Sequence, residues 1–285
     1  MSSDGTLVAV VTGASRGAGR GIAIALGEAG ATVYVTGRTQ NPGEAPLPGT
    51  IFETARAVDA AGGRGIAVRV DHSDDAQVRA LFDRVEREQG GLDILVNNVA
   101  YIHDDVSKPG PFWEKRLDMV DMLDVGVRSQ YVASFLAAPL LIRSGRGLVV
   151  FTSSFGSVCY MHGPAYGVQK VSADKFAADM AVDFKPHGVA AVSIWMGPLK
   201  TERTVKAGER SEEYAAFMAR AETPHFTGRV IHALYRDPEY LSLSGQTLVG
   251  AELGQRYGIT DEGRQPPSYR EMLGAPRQPS GAIVQ

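Results

Sequence analysis

Two textures alternate along the chain. Short apolar runs rich in β-branched residues occupy Leu7–Thr12, Thr32–Thr36, Gly65–Val70 and Leu92–Asn97. Between them lie longer segments, Gly17–Gly30, Ile51–Ala61 and Asp74–Gln89, where apolar residues recur at helical spacing among charges. The rhythm continues with apolar runs at Gly147–Ser153, Val189–Trp195 and Gln246–Val249, and helical texture at Trp113–Arg143 and Ala165–Lys185. Such alternation predicts βαβ units and a mainly parallel sheet with helices on both faces. Runs such as LVVF and DILV are apolar throughout, as strands covered on both faces are.

Three segments break the rhythm. Residues 39–50 (TQNPGEAPLPGT) hold three prolines and two glycines and read as an irregular loop inserted after the second strand. Residues 197–226 form a long stretch just past a strand end, where a lid over a substrate site is expected. The tail, 265–285, is rich in Pro and Gly and reads as irregular, loosely ordered or used in subunit contacts. No composition break divides the chain, so residues 1–285 are expected to form a single α/β domain, doubly wound.

Hydrophobic residues make up 44% of the 285 and charged residues 21%, enough apolar matter for a sizeable core. A net charge of −3 gives no basic face for nucleic acid. One cysteine, Cys159, cannot form an internal disulfide, which fits a reducing compartment; it reads as a small apolar residue. The N-terminal residues lack a basic stretch followed by an apolar run, and no apolar run approaches the roughly 18 residues of a membrane span. A cytoplasmic protein without a membrane span is expected. His72, His103, His162 and His187 show no metal-ligand spacing, so no metal is expected, and His162 is a candidate for a pocket edge.

The first candidate chemistry is TGASRGAG at 12–19, whose Gly13, Gly17 and Gly19 follow a strand and open a helix. Glycine permits a tight turn and close approach of a pyrophosphate, and the first helical N–H groups face the anion. Its place at the first βα junction favours a dinucleotide-binding turn over a plain Gly-rich turn between strand and helix, although its spacing, G-x₃-G-x-G, differs from G-x-G-x-x-G. An acidic residue about 20 positions on would take the ribose hydroxyls of NAD. Here the second strand ends Val35-Thr36-Gly37-Arg38, with no carboxylate at its tip. Arg38 and Arg16 can bracket a 2′-phosphate by charge-assisted bonds, so NADP(H) is the expected cofactor. Asp71 is placed either to accept from the adenine amino group or to cap the helix starting near Asp74. Asn97-Asn98 ends the fourth strand, where open α/β sheets meet their ligands.

The second is YGVQK at 166–170, which puts Tyr166 and Lys170 on one helix face if the segment is helical. A phenol titrates near pH 10 unperturbed, and an ammonium within about 4–6 Å lowers that by roughly one to three units. Such a tyrosine can exchange a proton with a substrate oxygen near neutral pH. Thirteen residues before Tyr166 stands Ser153, ending LVVFTS, whose hydroxyl is expected to hold the substrate oxygen. Tyr101, Trp113, Tyr160, Met161, Trp195, Tyr214 and Phe217 flank the strand tips and lid as candidates for an apolar pocket or for ordinary packing.

TGASRGAG, NNVA, the Ser153–Tyr166–Lys170 set and MGPLKT together resemble the short-chain dehydrogenase/reductase (SDR) superfamily from about residue 7 to about 250. DVGVRSQY, YMHGPAYGVQK and LSLSGQTLVGAELGQRYGI resemble its dehydrogenase/reductase member 1 branch. The resemblance implies an NADPH-dependent carbonyl reductase acting on steroids or other apolar carbonyls. Carried over by position, Gly13, Ser15, Arg16, Gly17 and Gly19 form the phosphate turn, Arg38 meets the 2′-phosphate, Asp71 the adenine and Asn98 the adenosine ribose side. Tyr166 and Lys170 bind the nicotinamide ribose as well as acting in the chemistry, and Thr201, four residues after Gly197, reaches the carboxamide or pyrophosphate. Three departures stand out: Val99-Ala100 for the family's Ala-Gly, Met196-Gly197 for Pro-Gly, and Asp124 for an asparagine whose backbone carbonyl serves a proton relay. An Asp124 carboxylate buried near Lys170 would stabilise the charged ammonium.

The expected reaction is hydride transfer between a nicotinamide and a carbonyl or secondary alcohol. The alternative is a non-catalytic NADP(H)-sensing or scaffold protein on the same fold, whose mark would be loss of Tyr or Lys. A homodimer or homotetramer is expected, pairing the helices of Trp113–Arg143 and Ala165–Lys185 across a two-fold axis.

Overall fold

The computed structural model describes residues 5–209 and 211–284. Among these residues seven strands form one sheet, all parallel, in the order β3-β2-β1-β4-β5-β6-β7. They are β1 (Val8–Val11), β2 (Thr32–Gly37), β3 (Arg64–Arg69), β4 (Ile94–Asn97), β5 (Gly147–Ser153), β6 (Val189–Trp195) and β7 (Thr247–Val249). Strands β5 and β6 coincide with the apolar runs that predict them.

Alternation along the strands decides what covers each face. Ala9, Val11, Val33, Val35, Val150 and Val192 pack against α1 (Gly17–Glu28), α2 (Ile51–Ala60) and α9 (Pro224–Arg236). Val8, Val10, Leu95, Val149 and Phe151 face α3 (Asp75–Gln89), α5 (Ser129–Arg143) and α6 (Pro164–Phe184). Both faces are thus dry, and each fully buried Val or Leu contributes about 1.5–3 kcal/mol. Helices α1 and α9 approach closely because Gly21 faces Pro224 and Gly228 faces Ile22 and Ala25, where a Cβ would collide.

The predicted helix over Trp113–Arg143 is broken into parts. Single 3₁₀ turns at Phe112–Glu114 and Leu117–Val120 lead into α4 (Asp121–Leu123), a π turn at Asp124–Arg128 and then α5. The π turn packs on α6 where Gly126 meets the Gln169 side chain. The stretch Leu117–Arg143 is long and apolar enough to cross a membrane by length and composition, which no apolar run in the bare sequence suggests. Its inner face, Ala133, Ala137, Leu140 and Leu141, is buried in the core.

Residues 39–50 contain turns and no helix or strand. Residues 197–226 carry α7 (Glu202–Gly208) and α8 (Glu212–Met218) before α9 begins. After α10 (Gly250–Tyr257), the tail is less loose than its composition suggests. It forms α11 (Arg270–Leu273), packs Tyr269 and Leu273 against Phe155 and Trp195, and ties Arg270 to Glu252.

Candidate active site

The order of strands reverses between β1 and β4, and ligands of open α/β sheets sit outside the carboxyl ends at such a point. The turn 12–19 lies there. Gly13 and Gly17 adopt φ of 64° and 57°, the left-handed region that glycine tolerates without cost. A Cβ on Gly19 would lie 2.5 Å from Asn98 Nδ2 and from the Gly13 carbonyl oxygen, so glycine lets α1 start tight against the turn. Ser15 is buried within it.

Asn98 braces the turn. Its Nδ2 donates to the carbonyls of Thr12 (2.9 Å) and Gly13 (3.2 Å), and its N–H donates to Thr12 Oγ1. Its amide therefore holds the shape of the turn 12–19. Asn97 donates to Ser134 Oγ beneath the strand end.

The two arginines are not equivalent. Arg16 is built into the loop 39–50: Nε donates to the Pro48 carbonyl and Nη2 to the Gly49 carbonyl and Thr39 Oγ1. Arg16 thus shapes the rim of the turn, while the Arg38 guanidinium stands largely exposed at the strand tip. Burial lowers the Arg16 pKa, and nearby Arg38 and Arg203 push the same way, against Glu202. Arg38, just past the β2 tip, is 64% exposed in its side chain and faces Asp71 at 3.8 Å. Asp71 does not cap α3. That task falls to Asp74, which accepts from Ala76 and Gln77 N–H. Burial would raise the Asp71 pKa, but the Ser73 bonds and the Arg38 charge outweigh it and hold it low.

At the chemical end, Pro164 starts α6 and sets Tyr166 in its first turn, with Lys170 one turn on and almost fully buried. The Lys170 ammonium lies 5.5 Å from the Tyr166 ring centroid. The serine beside the phenol is Ser154: its Oγ is 3.1 Å from Tyr166 Oη. Ser153 is a correction. It continues the alternation of Val149 and Phe151, points under α6, is fully buried and donates to the Lys170 carbonyl at 2.9 Å. One residue further, the chain has left the strand and the Ser154 hydroxyl turns toward the cleft, also accepting from Gly156 N–H.

An apolar wall adjoins the phenol: Val106, Met119 and Met122, with Tyr101, Ile102 and Ala165. His162, in a left-handed conformation at φ 61°, stands edge-on to the Tyr166 ring at 5.0 Å. Of the other aromatic candidates, Trp195 is core, while Trp113 and Tyr160 are 72% and 80% exposed. Beneath the site Asp174, on α6, accepts from Ser157 Oγ, Ser193 Oγ and Trp195 Nε1, tying the helix to β6 and to the loop after β5. Burial raises its pKa, against those bonds.

The Asp124 side chain is a second correction. It is exposed on the π turn, beside Arg128 and a shallow depression shared with Ser73, Asp74 and Asp75, and no contact joins it to Lys170. A turn wound with five-residue spacing rotates side chains away from the face an α-helix would present.

The root of the 197–226 segment is stapled shut. Leu199 pairs with Glu222, Glu222 N–H donates to the Pro198 carbonyl, and Gly197 N–H donates to Glu222 Oε2 at 3.3 Å. Burial, reinforced by Asp261, pushes the Glu222 carboxyl up to about 8. Thr201 caps α7 in a reciprocal pair with Thr204, so its hydroxyl is engaged within this segment. Glu202, beside it, sends Oε2 to the Gly17 N–H at 2.9 Å. Spacing along the chain gives no hint of that contact. Among the described residues, no group of three or more His, Cys, Asp or Glu could hold a metal.

Known proteins resemble this chain in sequence and in fold. The short chain dehydrogenase family profile matches residues 7–212. Human dehydrogenase/reductase SDR family member 1 is 41% identical over 92% of this chain and 85% of its own, and the mouse protein is 40% identical over the same shares. A zebrafish hydroxysteroid dehydrogenase-like protein 2 is 27% identical over 88% of this chain and 58% of its own. The crystal structure of a putative dehydrogenase from Xanthomonas campestris superposes with a TM-score of 0.77 at 27% identity, covering 90% of this chain and 91% of that one. The chain therefore belongs to the short-chain dehydrogenase/reductase family of oxidoreductases, in the branch of SDR family member 1.

Proposed function

We propose that this protein is an NADP(H)-dependent oxidoreductase interconverting a carbonyl and a secondary alcohol. The observation that carries the reading is the meeting of three groups: the Ser154 hydroxyl 3.1 Å from the Tyr166 phenol, with the Lys170 ammonium on the same helix face.

The turn fits a dinucleotide phosphate. Its glycines form a cradle that a Cβ on Gly19 would fill, and its Gly17 N–H already holds an anion, the Glu202 carboxylate. Gly13, Ser15, Gly17 and Gly19 would hold the pyrophosphate, with Arg16 shaping the rim and Asn98 the turn. Arg38 would meet a 2′-phosphate and Asp71 the adenine. Tyr166, Lys170, Gly197 and Thr201 would flank the nicotinamide half. When bound, NADPH supplies the hydride. The protein's own residues do the rest. Ser154 orients the substrate oxygen, Tyr166 gives or takes its proton, and Lys170 sets a positive charge beside the phenol. The wall of Val106, Met119 and Met122 suits an apolar carbonyl, in keeping with the name of the hydroxysteroid dehydrogenase-like relative.

Two further readings belong here. We place the protein in the cytoplasm, where its unpaired Cys159 stays reduced. It forms a homodimer or homotetramer through the outer faces of α5 and α6, where Tyr131 and Phe135 stack at 6.4 Å and both stay more than half exposed. The test of the main reading is absorbance at 340 nm against a carbonyl panel. Consumption of NADPH in preference to NADH supports it. No consumption with any carbonyl, or equal use of both cofactors, contradicts the corresponding half.

A further inference from the structure

Glu202 is the first residue of α7 and lies 185 positions from the turn it touches. Its Oε2 accepts from Gly17 N–H at 2.9 Å, and its Oε1 faces Arg20 Nη1 at 3.9 Å. Arg16 also feels its charge. The carboxylate thus has the partners that the twelve-residue helix α1 offers an anion: the first free N–H, the positive end of the helix and two guanidinium groups. On the far side of the cleft, Arg203 reaches Asp104 at 3.4 Å and the Ile102 carbonyl at 3.5 Å. Consecutive residues of α7 therefore clasp both walls of the crevice, one on the phosphate turn and one on the loop after β4.

We propose that Glu202 is an internal competitor for the cofactor's phosphate seat, and that the dinucleotide binds by exchanging its pyrophosphate for this carboxylate. The inference rests on the cofactor reading above and adds a residue that sets cofactor affinity and couples it to the lid. One N–H cannot donate fully to two anions, and two anions at one helix terminus repel. Cofactor entry therefore releases the start of α7 from α1. Thr201 and Thr204, which cap α7, move with it, so the cofactor reshapes the lid before the substrate arrives. Loss of the cofactor restores the clasp, which speeds its release.

The test is NADPH binding, followed by fluorescence, in the wild-type protein, Glu202→Gln and Glu202→Ala, with hydrogen exchange over residues 199–208. Both variants bind NADPH about tenfold more tightly, equivalent to about 1.4 kcal/mol. In the wild type, NADPH accelerates exchange at the start of α7. In the variants exchange there is already fast and changes little. Unchanged or weaker binding in both variants overturns the inference, as does wild-type exchange that NADPH leaves alone. Tighter binding without reduction of any carbonyl keeps the inference and removes the reductase reading. No dinucleotide binding by any of the three proteins overturns both.

Discussion

Replacing Ser154 and Ser153 by alanine, one at a time, separates two neighbouring hydroxyls with opposite duties. Ser154 Oγ stands 3.1 Å from Tyr166 Oη, where under the proposed reaction a substrate oxygen gains charge as hydride reaches the carbonyl carbon. Removing one such positioned donor costs about 10²–10³ in kcat, or about 2.7–4 kcal/mol of transition-state stabilisation. Ser153 Oγ spends its proton on the Lys170 carbonyl in a fully buried site. Its loss removes one buried hydrogen bond, worth about 1 kcal/mol, and the carbonyl keeps its partner within the helix. For a chain of this size that lowers the unfolding midpoint by roughly 2–4 °C and leaves turnover near wild type. The assay is steady-state NADPH oxidation with one active carbonyl, paired with thermal melts of both variants. Full turnover in Ser154→Ala, or its collapse in Ser153→Ala with the fold intact, refutes the assignment.

Three other perturbations follow from the same geometry. Glu222 binds a proton in the folded chain up to about pH 8, well above its ordinary value of 4.5, because of burial and then Asp261. The folded state then holds more protons than the unfolded one between those values, so stability falls as pH rises from about 4.5 to about 8. Melts of wild type and Glu222→Gln across that range show the wild type losing ground, by about 1.4 kcal/mol per pKa unit of difference; parallel curves contradict this. Asp174→Ala strands the donors of Ser157, Ser193 and Trp195 and destabilises by about 3 kcal/mol or more. Asp174→Asn recovers part of that loss, and a wild-type melting point for Asp174→Ala would contradict the account. Arg38→Ala weakens NADPH binding by about 1.5–3 kcal/mol, the worth of bonds to a charged group, and leaves NADH binding unchanged; equal losses for both cofactors would dissociate Arg38 from the 2′-phosphate.

The legible parts of the molecule are those written locally. Each of the β5 and β6 runs is continuous and apolar, so their limits coincide with the observed strands. Tyr166 and Lys170 lie four apart on one helix, and that spacing survives any arrangement of the rest. Ser153 misleads because counting back from Tyr166 assumes a fixed loop between β5 and α6. In a strand a shift of one residue reverses the face, so an error of one becomes an error of place. Asp124 misleads for a related reason, since the π turn changes the rotation per residue just where an α-helical wheel would be drawn. Arg16 is readable as a cation at the turn, yet its capture by Pro48 and Gly49 depends on how an irregular loop closes. Glu202 is beyond reach altogether, because nothing local marks a carboxylate that meets its partner across 185 residues.

The central claim is that a phenol moves the proton while its helix neighbour carries the charge. It is tested most directly by Tyr166→Phe, which deletes one oxygen and keeps the ring packed beside Gly156 and His162. The account predicts that NADPH still binds with nearly wild-type affinity and that carbonyl-dependent loss of absorbance at 340 nm falls by at least about 10²-fold, the lower end of what a positioned acid contributes. Undiminished turnover in that variant would contradict it.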